Sequence, residues 1–327
     1  MRYVNLKDTD LKLSNICFGT GNFGAGVEKE TAFALLDEFV RLGGNFIDTA
    51  NVYCRWVQGN GNSAERFLGE WLKSRGAYQD VVIATKGAHY DMEKPEISRV
   101  TEDAIRFDVE ESMQTMGLDV LDFYWLHRDD EKKPVEEIID ILEALKKEGK
   151  IRYYGLSNYR QERLESAKKY LQERGLAGPY AVSNQWSLAT VNPGKNVNQD
   201  PSLVITGEEL YQWHKETETP LVPFSSTALG FFEKLKRAGV QVQNGQVLMV
   251  ENPNAIPEEI KAAYWNEENL RAYEKLLGIQ KETGHTLHAL SVAWLFTHDF
   301  QVFGLGSARN VEQLRGLCEA SEIELEM

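Results

Sequence analysis

The alternation of short apolar runs with amphipathic helical patterns constrains the fold of this chain more than any other feature. Each apolar run is followed by a segment with helical periodicity that ends near a glycine or a basic residue, as helix C termini prefer. The strand candidates are the eight runs 15–19, 45–49, 81–86, 121–127, 151–157, 180–185, 221–226 and 301–306. Clear helical patterns are "SAERFLGEWLKSRG", "EDAIRFDVEESMQTMG", "PVEEIIDILEALKKEGK" and "RQERLESAKKYLQERG".

Eight strand-then-helix units predict an α/β fold, a (β/α)8 TIM barrel. The segments "RYVNL" and "LKLS" precede the first unit and predict a short N-terminal β-hairpin. No linker rich in Pro, Gly or Ser interrupts the series, so we expect one barrel domain over 1–327. The longest insertions, 87–101, 187–207 and 227–266, all follow strands. We therefore expect them at the C-terminal face, where barrel active sites form.

The glycines of "CFGTGNFGAG" suggest a different fold, a dinucleotide-binding Rossmann domain. Their spacing matches G-x-G-x-x-G, and Asp48 follows at the place of a ribose-binding acid. That fingerprint aims a helix N terminus at the pyrophosphate. Here the next helical pattern opens with carboxylates at Glu28 and Glu30, which would repel a phosphate. A single match of this kind is weak evidence, so the barrel is preferred.

The composition excludes several classes of protein. A net charge of -14 disfavours binding to a nucleic-acid backbone, which requires a basic surface. No apolar window is long enough to cross a membrane and the N terminus lacks a secretory signal, so we expect a cytoplasmic protein without membrane association. Cys17, Cys54 and Cys318 are an odd number without a C-x-x-C pair, which predicts reduced thiols.

Two further patterns could indicate other chemistry. His285 and His288 are three residues apart on a helical pattern, as in a metal-binding pair. No carboxylate or cysteine recurs at a matching spacing, so no metal site is predicted. Asp129 and Asp130 follow the fourth strand and could be the paired carboxylates of a glycosidase. That hypothesis leaves the polar residues at the other strand ends unexplained.

Polar residues at the ends of three consecutive strands suggest carbonyl chemistry. "FIDTANVY", "IATK" and "YWLH" end these strands, and a barrel would bring Asp48, Tyr53, Lys86 and His127 together. The Lys86 ammonium would stabilise a phenolate and lower the pKa of Tyr53. Asp48 would neutralise the buried lysine, and His127 would orient a carbonyl oxygen. The set suits carbonyl reduction, with hydride arriving on carbon while Tyr53 protonates oxygen.

These residues lie in segments that resemble the aldo-keto reductases, and the resemblance covers essentially the whole chain. The matching segments are "GGNFIDTANVYCRWVQGNGNSAERFLGEWL", "VVIATKG", "LDFYWLHRDD", "KIRYYGLSNY", "SNQWSL", "VPFSSTALGFF" and "GSARNVEQL". The resemblance implies a barrel reductase that uses NADPH or, less often, NADH, with no metal. It assigns catalysis to Asp48, Tyr53, Lys86 and His127.

The resemblance also implies where the cofactor binds. The implied residues are Gly19 and Thr20 on the floor of the site, Ser157, Asn158 and Gln185 at the nicotinamide carboxamide, Phe224 on its ring, Ser225, Thr227 and Gly230 at the pyrophosphate, and Ser307, Arg309 and Gln313 at the 2'-phosphate. Arg309 favours NADPH, because a guanidinium binds phosphate bidentately, although NAD remains an alternative. Gly316 and Leu317 depart from the Glu-Asn pair with which many relatives hold adenine. The basic segment 231–239 could cover the cofactor or form an exposed helix.

The sequence thus predicts an NAD(P)H-dependent oxidoreductase that reversibly reduces a small-molecule aldehyde or ketone to an alcohol. Residues expected at the mouth of the site are Trp56, Trp125, Trp186, Trp265, Arg55, His89 and Arg128. Aromatic faces beside polar groups suit a sugar- or polyol-derived carbonyl. The alternative is an NADPH-binding regulatory or sensor subunit with little turnover.

Overall fold

The computed structural model describes residues 1–196 and 200–326. Its strands are β1 (Tyr3–Asn5), β2 (Lys12–Ser14), β3 (Ile16–Gly19), β4 (Phe46–Asp48), β5 (Val82–Gly87), β6 (Leu121–Leu126), β7 (Ile151–Ser157), β8 (Val182–Ser183), β9 (Gln241–Gln243), β10 (Gln246–Met249) and β11 (Gly304–Gly306). Its α-helices are α1 (Lys29–Arg41), α2 (Ser63–Arg75), α3 (Glu102–Met116), α4 (Val135–Lys147), α5 (Gln161–Glu173), α6 (Glu208–Thr217), α7 (Phe231–Arg237), α8 (Glu258–Tyr264), α9 (Glu267–Thr283), α10 (Leu287–Ala293) and α11 (Val311–Glu319).

Seven parallel strands form one curved sheet in the order β11-β3-β4-β5-β6-β7-β8. The residues around Leu221 bridge its two edges. The amide of Val222 donates to the carbonyl of Val182 (2.8 Å), and the amide of Phe303 donates to the carbonyl of Leu221 (2.9 Å). The sheet is thereby closed into the predicted (β/α)8 barrel. The predicted N-terminal hairpin is also confirmed, because β1 pairs antiparallel with β2.

Two of the eight predicted strands differ most from the structure, and the run 301–306 is shortened to the three residues of β11. The run 221–226 contains only isolated bridges. Its regular pairing fails because Pro223 has no N–H to donate and Ser225 has a left-handed φ of 54°. The run 180–185 is shortened to the two residues of β8. Both departures lie on the side of the barrel where the predicted cofactor residues are found.

The helices that cover the barrel follow the predicted patterns. The four quoted helical segments form α2, α3, α4 and α5. In α4 the buried residues are Val135, Ile138, Ile139, Leu142 and Leu145, which form one apolar stripe at helical spacing. Fully burying each such side chain contributes about 1.5–3 kcal/mol. The strands beneath are largely buried on both faces, as expected for a parallel sheet enclosed by helices.

The first two insertions follow strands, as expected, whereas the third follows the bridged segment 221–226 and has secondary structure of its own. Residues 227–266 contain α7, the antiparallel β9–β10 hairpin and α8. Residues 197–199 of the second insertion lie outside the described residues. Within the described ranges, no helix has the length and apolar character needed to cross a membrane.

The glycine-rich stretch after β3 serves loop packing. The helix that follows, α1, begins only at Lys29, with Glu30 in its first turn. Gly24 has a φ of 93°, and a Cβ at this position would collide with the Ser63 side chain. Glycine is therefore required by the close approach of two loops, and the Rossmann alternative has no structural counterpart.

Candidate active site

The side chains of the predicted tetrad meet at the C-terminal end of the barrel. Lys86 donates a hydrogen bond to the Asp48 carboxylate, and its Nζ also lies 2.9 Å from the Thr49 carbonyl oxygen and 3.1 Å from the Tyr53 hydroxyl. Asp48 and Lys86 are each only 2% exposed. The rings of Tyr53 and His127 are 6.0 Å apart between centroids, edge to face. Four groups distant in sequence thus form one cluster.

Backbone hydrogen bonds beyond the strand ends hold these side chains in place. The amide of Asn51 donates to the carbonyl of Lys86 (2.9 Å), and the amide of His127 donates to the carbonyl of Gly87 (3.0 Å). Tyr53 follows Asn51 in a tight turn, so its ring is directed back over β5. The parallel register therefore fixes the tetrad more firmly than an isolated loop could.

The buried ion pair sets the charge state of the lysine. Burial is the largest single influence and would lower the pKa of Lys86, but the charge and hydrogen bonds of Asp48 and Tyr53 together outweigh it, so the pKa of Lys86 is raised. Burial also raises the pKa of Asp48, and the Lys86 charge opposes that shift. The lysine is therefore an ammonium at neutral pH, held within hydrogen-bonding distance of a phenol.

The pKa of Tyr53 differs from the sequence-based prediction. Burial raises it above its usual value of 10, and the Asp48 carboxylate acts in the same direction. The Lys86 ammonium lowers it, but by less. The prediction of a lowered pKa was therefore wrong for the protein alone. At neutral pH Tyr53 is fully protonated, which is the form that a proton donor needs.

His127 is a neutral imidazole in this environment. Burial holds its pKa well below the usual range, and the positive charges of Arg128 and Lys86 act in the same direction. Its Nδ1 is buried without a hydrogen-bond partner in the part of the chain that the structure describes. A neutral ring beside Tyr53 can donate one N–H to an oxygen without carrying a charge.

The tryptophans predicted at the mouth do not all lie there. Trp56 is 50% exposed, and its ring lies 6.4 Å from the Tyr53 ring between centroids. Trp125 is completely buried inside the barrel, because its position in β6 faces inward. Trp186 faces the helix layer and packs on Trp294, with centroids 4.7 Å apart. Trp125 is therefore a core residue, and Trp186 is a partly buried residue packed on other aromatic rings.

The arginines and the remaining tryptophan are also committed elsewhere. Arg55 pairs with Glu111 at 2.5 Å, and Arg128 pairs with Asp200 at 3.2 Å. Trp265 lies between α8 and α9 and is partly buried. Because each guanidinium already forms an ion pair, neither is an unpaired cation that a ligand could bind.

The alternative chemistries gain no support from the geometry. Asp129 is bound by Arg163 at 2.7 Å and is almost completely buried, so it is poorly placed as a glycosidase carboxylate. His285 pairs with Glu319. In residues 1–196 and 200–326, no group of three or more His, Cys, Asp or Glu side chains is arranged to hold a metal ion.

The floor of the site is formed by the segment after β3. Thr20 is completely buried, and its amide donates to the Asp48 carbonyl at 2.9 Å. Gly19 pairs with Asp48 in the sheet. At Gly21 a Cβ would lie 3.7 Å from the Tyr53 ring, so this segment is in van der Waals range of the phenol.

The residues predicted at the nicotinamide carboxamide lie beside the tetrad. The Asn158 side-chain N–H donates to the Ser157 hydroxyl and to the His127 carbonyl, both at 3.2 Å. Gln185 Nε2 donates to the Tyr264 hydroxyl at 3.2 Å. Gln185 Oε1 is buried and has no partner among the described residues. A buried, unpartnered carbonyl oxygen suits an amide N–H donor, which a nicotinamide carboxamide offers.

The segment 224–230 carries Phe224, Ser225, Thr227 and Gly230 in an irregular turn. The φ angles are 54° at Ser225 and 72° at Gly230, and two further non-glycine residues between them are also left-handed. Such strain costs about 1–3 kcal/mol per residue and is concentrated at ligand-binding sites. The sequence predicted which residues belong to this segment, but it did not predict their left-handed backbone conformation.

The predicted adenosine end is exposed. Ser307, Arg309 and Gln313 lie at the start of α11, where Gln313 Oε1 accepts from the Arg309 amide at 2.9 Å. No carboxylate pairs with the Arg309 guanidinium in the described parts of the chain. Leu317 is completely buried and packs against Gly306, so it cannot contact adenine.

Sequence reasoning did not assign two further cations near Arg309. Burial lowers the pKa of Lys234, and the charges of Arg237 and Arg309 lower it further while Glu259 opposes them, so the three cations interact electrostatically. Lys234 is only partly exposed, and its ammonium donates to the carbonyl of Leu229. The sequence signal for these two cations was the basic composition of segment 231–239, most of which forms α7. Such a cluster in a chain of net charge -14 fits an anionic ligand.

Comparisons with known proteins identify the family to which the chain belongs. The model of the Aldo/keto reductase family matches residues 15–327. An uncharacterized oxidoreductase of Bacillus subtilis (strain 168) is 26% identical over 100% of this chain and 93% of its own length. A norsolorinic acid reductase of Emericella nidulans is 28% identical, covering 96% and 76%. An aryl-alcohol dehydrogenase [NADP(+)] of Phanerodontia chrysosporium is 24% identical, covering 93% and 75%.

A solved structure supports the fold. The holo form of an aldo-keto reductase from Bacillus halodurans superimposes with a TM-score of 0.68 at 24% identity, covering 100% of this chain and 93% of that one. The family match spans the barrel and every predicted site segment. The chain belongs to the aldo-keto reductase family.

Proposed function

We propose that this oxidoreductase reversibly reduces an aldehyde or ketone to an alcohol, with Tyr53 as the proton donor. The observation that carries the proposal is the buried Asp48–Lys86 ion pair, whose ammonium lies 3.1 Å from the Tyr53 hydroxyl. A phenol is a weak acid near neutral pH, so it needs a fixed cation to stabilise the phenolate that proton transfer leaves behind. The cluster supplies that cation in a water-poor site.

Each member of the tetrad then has one task. The bound nicotinamide cofactor supplies the hydride. Tyr53 gives its proton to the carbonyl oxygen, and Lys86 stabilises the resulting phenolate. Asp48 keeps Lys86 charged despite its burial, and the neutral His127 holds the carbonyl oxygen through an N–H. In the reverse direction the Tyr53 phenolate takes the hydroxyl proton of an alcohol, and the hydride would pass to the oxidised nicotinamide cofactor.

For the cofactor we propose NADPH in preference to NADH. Gln185, with Ser157 and Asn158, would bind the carboxamide through its unpartnered oxygen. The exposed guanidinium of Arg309, with Lys234 nearby, would bind the 2'-phosphate that only NADPH carries. The remaining contacts proposed are Gly19, Thr20, Phe224, Ser225, Thr227, Gly230, Ser307 and Gln313.

The proposed substrate is a small carbonyl compound that contacts Trp56. This side chain is exposed beside Tyr53, and its ring can pack on an aromatic compound or on the C–H face of a sugar. The names of two relatives, an aryl-alcohol dehydrogenase and a norsolorinic acid reductase, point to aromatic carbonyls. A sugar- or polyol-derived substrate is a weaker hypothesis than it was from the sequence. Of the tryptophans that suggested it, Trp125 and Trp186 do not lie at the mouth of the site.

Replacing Tyr53 by Phe tests the proposal. We expect kcat for reduction of 4-nitrobenzaldehyde by NADPH to fall by about 10²- to 10⁴-fold, because the proton donor is removed. Binding of NADPH and NADH, followed by fluorescence titration of both proteins, should be retained, with NADPH the tighter ligand. Tyr78→Phe, at an exposed tyrosine outside the site, is the matched control. A wild type that binds NADPH but is no faster than Tyr53→Phe would instead favour the sensor function.

A further inference from the structure

His89 is the ring next to the tetrad whose role is unassigned. It lies two residues beyond the end of β5, and its ring packs on His127 with centroids 4.8 Å apart and an interplanar angle of 67°. Only 7% of His89 is exposed. The residue therefore lies directly beside the imidazole that is proposed to hold the carbonyl oxygen.

The hydrogen bonds of His89 determine its tautomer. Nδ1 lies 2.9 Å from the Tyr90 carbonyl oxygen, which can only accept, so Nδ1 carries the proton. Burial lowers the pKa of His89 to about 4, and the charge of Arg128 acts in the same direction. The ring is then neutral and Nε2 carries a lone pair. Within residues 1–196 and 200–326 the hydrogen bond of the ring is made by Nδ1, and no group hydrogen-bonds to Nε2.

Contacts from three loops fix this orientation. The Tyr90 hydroxyl donates to Asp200 at 2.8 Å, and Arg128 donates to the same carboxylate at 3.2 Å. Arg99 donates to the His89 carbonyl at 3.2 Å. Because the backbone on both sides of the ring is held, the acceptor is preorganised and does not have to be ordered when a ligand binds.

We propose that His89 Nε2 accepts a hydrogen bond from a hydroxyl on the carbon next to the substrate carbonyl. The inference rests on the proposed carbonyl reduction and narrows its substrate class to α-hydroxy aldehydes and ketones. Since the acceptor lies beside His127, the donor that pairs with it belongs on the carbon next to the carbonyl carbon. A hydroxyl on that carbon provides the donor. An alkyl group in the same place leaves the acceptor unpaired, which a site discriminates against.

The test compares hydroxyacetone with butanone, which differ by a hydroxyl in place of a methyl group. We expect the ratio of their kcat/KM values to be about tenfold lower in His89→Phe than in the wild type, the value of one neutral hydrogen bond. Phenylalanine keeps a ring against His127 but has no acceptor. His89→Gln, which restores a carbonyl acceptor, should recover part of the ratio. Because each ratio is taken within one protein, a general loss of activity cancels.

Two results would overturn the inference alone, and a third would overturn the proposed function together with it. An equal ratio in wild type and His89→Phe would show that His89 only packs on His127. A wild type that reduces butanone at least as well as hydroxyacetone would exclude the α-hydroxy preference, with carbonyl reduction intact. A wild type that binds NADPH but reduces neither ketone nor 4-nitrobenzaldehyde would overturn both proposals.

Discussion

The two faces of β5 contact buried carboxylates of neighbouring elements in contrasting environments. On the inner face, Lys86 donates to Asp48, which is 2% exposed. On the outer face, the neighbouring residue Thr85 donates its hydroxyl to Glu65 Oε1 at 2.6 Å, and Glu65 is completely buried. Consecutive strand residues point to opposite sides of the barrel wall, so the sites are adjacent but separate.

The difference between the two carboxylates lies in the partner. Burial raises the pKa of Glu65 to about 7, and hydrogen bonds from Thr85, Ser112 and Asn62 oppose it only in part. No lysine or arginine forms an ion pair with Glu65 among the described residues. Asp48 faces an ammonium and forms an ion pair. A buried carboxylate at this strand is therefore held in its charged form by a cation, whereas hydroxyl and amide donors leave it near half protonation at neutral pH.

The largest effect is expected from removing the inner cation. Lys86→Met leaves Asp48 as an uncompensated buried carboxylate, which should cost about 3–5 kcal/mol of unfolding free energy. Reduction should also be lost, because nothing then stabilises the Tyr53 phenolate. Urea unfolding at pH 7 measures the first effect and NADPH oxidation the second.

A second substitution separates charge from packing. Adding Asp48→Asn to Lys86→Met removes the stranded charge, so the double variant should regain part of the lost stability without regaining turnover. If the two losses were instead additive, or if Lys86→Met were as stable as the wild type, the ion pair would not be the feature that stabilises the inner face.

A smaller effect of opposite sign is expected on the outer face. The folded pKa of Glu65 is raised from 4.5 to about 7. Between these pH values the Glu65 carboxyl binds a proton in the folded state but not in the unfolded state. The contribution of this proton to stability is therefore complete below about pH 4.5 and decreases as the pH rises to about 7. Glu65→Gln removes this titration and should be more stable than the wild type at pH 8.5, by about 3 kcal/mol at most.

The pH dependence of Glu65→Gln provides its own control. At pH 5, where the carboxyl is largely protonated in the wild type, the two proteins should differ little in unfolding free energy. Other titrating groups are common to both and cancel in the difference. A stability difference that stayed constant from pH 5 to pH 8.5 would show that Glu65 does not titrate in this range.

The contrast also indicates what the sequence could reveal. Topology alone brings strand ends together, so Asp48, Lys86 and His127 could be predicted as neighbours from their positions after apolar runs. The sequence could not predict which of these side chains are buried or which side of the barrel wall each one faces. Trp125 was expected at the mouth because the register that turns it inward depends on the neighbouring strands. The pKa of Tyr53 was expected to be lowered because the lysine is visible in the sequence, whereas the desolvation that outweighs it arises only in the packed barrel.

The smallest effect tests whether the outer face is separate from catalysis. Thr85→Val removes the hydroxyl that donates to Glu65 and should cost about 1 kcal/mol at pH 5. The cost should be greater at pH 8.5, because an ionised carboxylate accepts stronger hydrogen bonds than a neutral acid. The value of kcat should stay at that of the wild type, since the Thr85 side chain points away from Tyr53. A fall in kcat approaching that of Lys86→Met, at unchanged cofactor binding, would mean that the two faces of β5 are coupled and that Glu65 acts on the tetrad through the strand.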